Sequence, residues 1–337
     1  MVSQAEKGKR VYGKGGQNEI TIKMKNRQQK LFTKHSAILV LMLVSIYSCA
    51  QKSTLPTPDM ANVKYGEHER NVMDVWFADK SKPTPLAIFI HGGGFVSGDK
   101  QTKLNEDELK ELLKAGISVA SINYRFKSTA PLPAAHYDAK RALQFIRSKA
   151  DAWNINKNKI AAWGSSAGAQ ISMWLAFNDD MANPESTDPI ERESTRLTCV
   201  ATKGGQTTMV SEFWLRHINN YAPGKEKAFL GNKRLQTFGV ETIEESDEIA
   251  KTISALSIIS NDDPPIFMQY SMSPDAPAPD SDKFQRLRGW IVHHVVFGIE
   301  LKEKMDHLNL ESYLYYPGSD SEYNSVVKFF TDKLLNE

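Results

Sequence analysis

Two glycine-punctuated segments carry the residue types that acyl-transfer chemistry needs. In Gly164-Ser165-Ser166-Ala167-Gly168 the middle serine stands at the spacing of a strand-to-helix turn, where flanking glycines tolerate a backbone geometry and a close approach that a Cβ would block. This makes Ser166 the candidate nucleophile. Serine attack on an ester builds negative charge on the carbonyl oxygen, and preorganised N–H donors must be aimed at that charge. The run His91-Gly92-Gly93-Gly94-Phe95 can supply such donors.

Both motifs have the flanks they require. Pro85 to Ile90 reads as a buried strand feeding the glycine run, Lys159 to Trp163 as a second strand, and Ser166 to Phe177 as a helix. Around them, Asn71 to Phe77 and Ile117 to Tyr124 are expected strands. Lys103 to Leu113, ended by Gly116, and His136 to Lys149 are expected amphipathic helices. Val200 to Thr202 and Pro265 to Tyr270 continue the sheet, and His294 to Met305, Glu311 to Tyr315 and Glu322 to Leu335 form a last helix–strand–helix unit. The alternation predicts an α/β protein with a mostly parallel central sheet flanked by helices. Two segments stand outside it: polar, acidic 179–196, and 204–253, which lacks strand signals and carries Trp214, Phe229 and Phe238. Both are expected to cover the mouth of the site, 204–253 as a small helical cap or lid whose three aromatic residues pack the cap or line an acyl pocket.

The 337 residues carry a net charge of +2, but residues 1–34 hold nine Lys/Arg and two Glu, so their +7 leaves −5 for the remainder. No basic patch points to nucleic acid, and the acidic cluster within 179–196 fits no metal-ligand spacing, so neither metal nor cofactor is expected. The basic stretch is followed by an uncharged apolar run, Ser36 to Tyr47, and then Ser48-Cys49. That is the plan of a signal peptide, too short to span a membrane. The 1–48 segment is therefore read as an export leader, with 1–23 an upstream start-site artefact before Met24. Residues 49–62 read as a polar tether. Ser48-Cys49 resembles a bacterial lipoprotein cleavage box, which implies lipidation at Cys49 and a membrane-anchored protein of the cell envelope. With two cysteines in unlike contexts, Cys49 and Cys199, no disulfide framework is expected.

From residue 63 to 337 the chain resembles the α/β-hydrolase superfamily, in particular its bacterial esterase/lipase branch with a three-glycine oxyanion loop. That branch includes hormone-sensitive-lipase-like carboxylesterases and acetylxylan- and feruloyl-esterase-like enzymes. The resemblance rests on His91-Gly92-Gly93-Gly94-Phe95, Ile122-Asn123-Tyr124-Arg125 and Trp163-Gly164-Ser165-Ser166-Ala167-Gly168-Ala169. It implies Ser166 as nucleophile and the backbone N–H groups of Gly93, Gly94 and Ala167 as the oxyanion hole. His91, Tyr124 and Asp138 take structural roles.

A serine also needs a base, and the base an orienting acid. In the family the acid sits in a loop after the strand that follows the cap. Here Asp275 fills that place only with a shift in register, with Asp280 and Asp282 as further candidates and a plain turn residue as the other reading of Asp275. The family's histidine slot, after the last strand, holds Ser321 in Pro317-Gly318-Ser319-Asp320-Ser321. No histidine follows His307, which is expected to be solvated. The pair His293-His294, at the opening of a helix after the acid loop, supplies the candidate base, with surface or packing roles as the alternative. These residues point to a serine esterase acting on short acyl esters, small molecules or acylated carbohydrates. The alternative is a hydrolase fold that binds a ligand without turning it over. A peptidase would be expected to carry a gating domain, and none is visible.

Overall fold

The computed structural model describes residues 55–280 and 282–336. The leader, Cys49 and the first part of the tether lie outside the described residues. Among the described residues one sheet contains eight strands: β1 (Met60–Lys64), β2 (Val72–Trp76), β3 (Thr84–Ile90), β4 (Ser118–Ile122), β5 (Ile155–Ser165), β6 (Cys199–Lys203), β7 (Ile266–Gln269) and β8 (Ser312–Tyr315). The spatial order is β1-β2-β4-β3-β5-β6-β7-β8. The first two pairings are antiparallel, and every pairing from β4 to β8 is parallel.

The helices are α1 (Glu106–Ala115), α2 (Ala134–Ser148), α3 (Ala150–Trp153), α4 (Ala167–Phe177), α5 (Ser211–Tyr221), α6 (Glu226–Leu230), α7 (Asn232–Phe238), α8 (Ile243–Ile253), α9 (Ala255–Ile258), α10 (Phe284–Val292), α11 (Val296–His307) and α12 (Val326–Leu335). They cover both faces of the sheet, which is why β3 is buried at every position. Its period-two alternation divides between two cores. Leu86, Ile88 and Ile90 join α2 and α4, whereas Ala87 and Phe89 join α1 and α12. The expected helix before Gly116 runs from 106 to 115. Asn105 caps it by accepting the Glu108 N–H, and Gly116 ends it at φ 94°. α4 is apolar all round and buried along its whole length, as a helix at the centre of the fold must be.

Three expectations are corrected. The tether does not extend to residue 62, because Pro56 accepts the Trp76 indole N–H at 2.8 Å, Asp59 accepts the Phe77 N–H, and Met60–Lys64 adds an edge strand. The acidic segment 179–196 does not cover the site. It packs on α2, where Asp188 pairs with Arg141, and the Glu191 and Glu193 carbonyls accept from Gln144 at 2.9 and 2.8 Å. Finally, His293 and His294 do not open a helix: His293 closes α10, and His294 lies in the short link to α11. Residues 204–253 contain the four helices α5 to α8.

Candidate active site

β5 ends at Ser165 and α4 starts at Ala167, so Ser166 alone makes the turn, at φ 51° and ψ −117°. Such a conformation costs about 1–3 kcal/mol for a residue with a Cβ and persists only where its surroundings impose it. The imposing contacts are visible. The Ser166 N–H donates to the Lys203 carbonyl at 3.0 Å, its carbonyl accepts the Gln170 N–H at 3.1 Å, and buried α4 fixes the far side. Gly168 lets α4 press against the end of β3, since a Cβ there would overlap the Ile90 carbonyl.

The glycine run lies beside this turn. Gly93, at φ 119°, could not carry a Cβ without striking the Ser97 carbonyl. The N–H groups of Gly93, Gly94 and Ala167 donate to no carbonyl in the loop and turn network of the described residues. The loop is braced from behind. Buried His91 bonds the Gly92 carbonyl through Nδ1 at 2.7 Å, and its Nε2 lies 3.3 Å from Arg70 Nη2. Tyr124 stacks on the His91 ring at 4.3 Å and donates its hydroxyl to the His91 carbonyl. Burial pushes the His91 pKa down to about 4, so the ring is neutral near pH 7 and works as a strut. Asp138 is likewise structural, taking the Arg125 guanidinium through both carboxylate oxygens.

The structure separates the two neighbouring histidines. His293 lines a cavity of about 870 Å³ together with Ser166, Gly93, Gly94 and Ala167. Its Nδ1 lies 2.9 Å from the Gly204 carbonyl, which fixes the proton on Nδ1 and leaves Nε2 as the acceptor. Gly204 directly follows Lys203, whose carbonyl holds the Ser166 N–H, so one short loop touches both the candidate nucleophile and the candidate base. His294 faces the other way. It is 2% exposed, its ring packs among Trp290, Tyr221 and His217, and its Nε2 has no partner among the described residues. Burial, then the neighbouring His217, pushes its pKa down to about 4.

The candidate acids do not reach the base. Asp275 is exposed and lies outside the cavity wall, and Asp280 pairs with Lys283 at the surface. Asp282 is exposed as well. Ser321, in the place where the resemblance puts a histidine, has a buried Oγ with no partner among the described residues, and His307 is exposed. In the place of an acid, His293 meets a backbone carbonyl. Beside it stands Gln206, which the sequence reading did not single out, with Nε2 3.3 Å from His293 Nδ1 and bonded to the Val292 carbonyl. A Gly-Gly pair after a strand signals a tight turn, but a carbonyl ligand leaves no side-chain signature. The rest of the cavity wall is apolar on one side, with Trp214, Phe229 and Phe238, and cationic on another. No group of three or more His, Cys, Asp or Glu residues suited to a metal occurs among the described residues.

Comparisons with known proteins bear on the family and the fold. The BD-FAE family model matches residues 73–284. An AB hydrolase superfamily protein of Schizosaccharomyces pombe is 35% identical over 106 residues, 32% of this chain and 30% of that protein. Esterase LipC of Mycobacterium tuberculosis is 32% identical over 133 residues, 37% of this chain and 33% of its own length. The matched stretch thus spans about a third of these curated relatives. Among solved structures, a truncated carbohydrate esterase from gut microbiota superposes with a TM-score of 0.63 at 21% identity, covering 84% of this chain and 98% of that one. This likeness establishes the α/β-hydrolase fold. The family match stops at residue 284, before His293.

Proposed function

The chain belongs to the BD-FAE family, and from that premise we propose that it is a serine carboxylic-ester hydrolase acting on short acyl esters of carbohydrates. The observation that carries the reading is the meeting of four things in one cavity: Ser166 on its strained turn, the undonated N–H groups of Gly93 and Gly94, that of Ala167, and His293 with its Nδ1 held by Gly204. Ser166 Oγ attacks the ester carbonyl carbon while His293 Nε2 takes its proton. The three N–H groups stabilise the oxyanion, which is where most of such a rate enhancement resides. Collapse expels the alcohol with the proton from His293, and water, activated by the same nitrogen, releases the acid from Ser166. The esterase relatives and the carbohydrate-esterase neighbour support the substrate class.

One feature favours a second reading, a ligand-binding protein of the same fold: no carboxylate orients His293 among the described residues. Turnover of p-nitrophenyl esters from acetate to octanoate, with Ser166→Ala and His293→Gln beside the parent, separates the two. Serine hydrolysis requires preference for the short esters, loss of turnover in both variants, and labelling of the parent by a fluorophosphonate. An unlabelled, inactive but folded parent establishes the binding protein instead. The export leader and lipid anchor rest on the sequence alone. Mass spectrometry of the mature chain should find an acylated Cys49 at its N-terminus, and an unmodified internal Cys49 refutes the anchor.

A further inference from the structure

The cavity around Ser166 has a charge pattern at odds with the rest of the chain. Residues 35–337 carry a net −5, yet the charged side chains on the cavity wall are Lys103, Lys127, Lys233, Arg234 and Arg288, with no carboxylate among them. Arg234 is spoken for: it pairs with Asp247, bonds Ser246 and the Met209 carbonyl, and lies over the Phe238 ring. The other four make no ion pair with a carboxylate among the described residues. They come from separate elements: the loop before α1, the loop after β4, α7 and α10.

Three of them converge. Lys127 is tied to the oxyanion loop, its N–H donating to the Phe95 carbonyl at 2.8 Å, and to α7 through Nζ on the Thr237 hydroxyl at 2.9 Å. Lys127, Lys233 and Arg288 line the same cavity, and the Lys127 pKa is pushed down by burial and further by the Arg288 and Lys233 charges. Holding like charges together costs free energy that solvated lysines avoid by spreading apart, and an anion placed between them recovers it. Lys233 and Arg288 also form the wall of a second cavity of about 730 Å³, whose remaining charged residue is Lys227, again a cation. Cationic side chains therefore line both the cavity at Ser166 and its neighbour, which share Lys233 and Arg288, while Trp214, Phe229 and Phe238 offer an acyl group an apolar wall.

We propose that the substrate's alcohol portion is a carboxylate-bearing glycan, an O-acylated oligo-uronide, whose carboxylates are held by Lys127, Lys233 and Arg288. This rests on the ester-hydrolase reading of the same cavity. Guanidinium and ammonium groups recognise carboxylates by charge-assisted hydrogen bonds, with arginine able to engage both oxygens.

The test compares acetylated oligogalacturonate with an acetylated neutral xylo-oligosaccharide of equal length. At low ionic strength the parent should show a kcat/KM ratio of about tenfold in favour of the uronide, falling towards unity at about 0.5 M salt. Lys127→Gln, Lys233→Gln and Arg288→Gln should each cut that ratio severalfold, chiefly through KM for the uronide. A ratio near one in the parent, or a preference that survives salt and all three substitutions, overturns the proposal. A preference confined to hemisuccinate esters, whose charge lies in the acyl portion, overturns the alcohol-side assignment. Binding of deacylated oligogalacturonate to the Ser166→Ala chain gives a readout without turnover. Salt-sensitive binding weakened by Arg288→Gln supports the cationic subsite even if no ester is cleaved, and its absence refutes it.

Discussion

Gln206→Glu is the substitution that interrogates the base most directly. Gln206 Nε2 stands 3.3 Å from His293 Nδ1, so the isosteric exchange puts a carboxylate oxygen where the amide nitrogen lies and completes a Ser–His–acid arrangement. With an effective dielectric of about 20, unit charges at that separation attract by about 5 kcal/mol. The attraction exists only once His293 has taken the serine proton, so it acts on the transition state and not on the resting enzyme. Charge-assisted hydrogen bonds realise about 1.5–3 kcal/mol of such gross attraction. At the lower end kcat should rise about tenfold. The exchange also replaces the donor that Gln206 offers the Val292 and Gly204 carbonyls, a ground-state loss of about 1–3 kcal/mol that lowers Tm without opposing the gain in kcat. The assay is steady-state hydrolysis of p-nitrophenyl acetate with Tm measured alongside, repeated in a His293→Gln background, where the gain should vanish. An unchanged or lower kcat in a chain that remains folded, or a gain that persists without His293, refutes His293 as the proton acceptor.

Three further outcomes are expected. His293→Ala should lower kcat by about 10²–10⁴-fold, whereas His294→Ala should leave kcat within about twofold and cost about 2–4 kcal/mol of stability in urea, as removal of a buried ring does. Gly168→Ala should abolish turnover, because its Cβ meets the Ile90 backbone carbonyl and α4 must retreat from Ser166; wild-type activity in soluble, folded protein would contradict the packing drawn here. Stability should fall on acidification: His91, His136 and His294 have folded pKa values depressed to about 4, 3 and 4. Burial favours their neutral forms, so this stability is fully present above about pH 6.5 and is lost progressively as pH drops through the folded values of about 4 and 3. Urea midpoints that stay level from pH 7 to 4 would refute it.

The turn at Ser166, the candidate nucleophile, was legible because its constraints are local. A serine between two glycines, after β5 and before an apolar helix, has one geometry, and the structure has it at Ser166. The buried strands were legible for the same reason, since β3 and the Ile160–Trp163 part of β5 carry apolar runs. The edge strand β1 was not. Met-Ala-Asn-Val-Lys is largely exposed, and it is a strand only because β2 has an open edge and Asp74 takes the Asn62 N–H. α10 left a trace that went unread, with Phe284, Leu287 and Ile291 at helical spacing, interrupted by Gly289. Once α10 ends at Val292, neighbouring positions point to opposite sides, so His293 faces the cavity and His294 the aromatic cluster against α5.

The loop after β6 holds both the turn of Ser166, the candidate nucleophile, and the ring of His293, the candidate base. Two successive carbonyls leave that loop: Lys203 accepts the Ser166 N–H at 3.0 Å and Gly204 accepts His293 Nδ1 at 2.9 Å. The Gly204 N–H in turn donates to Gln269 at the end of β7, at 2.8 Å, so the loop is fastened to the sheet itself. A histidine carried by the loop after β8 would need its own orienting acid to hold it there. Here the sheet end that shapes the nucleophile's turn also sets the imidazole's tautomer, and a neutral dipole suffices for orientation. What a dipole does not supply is the full charge that stabilises an imidazolium, because replacing an acid by a carbonyl keeps the direction of the bond and gives up most of its strength. The arrangement therefore accounts at once for a candidate site with no carboxylate beside His293 among the described residues, for a histidine outside the region of family similarity, and for the gain expected when a carboxylate is placed at position 206.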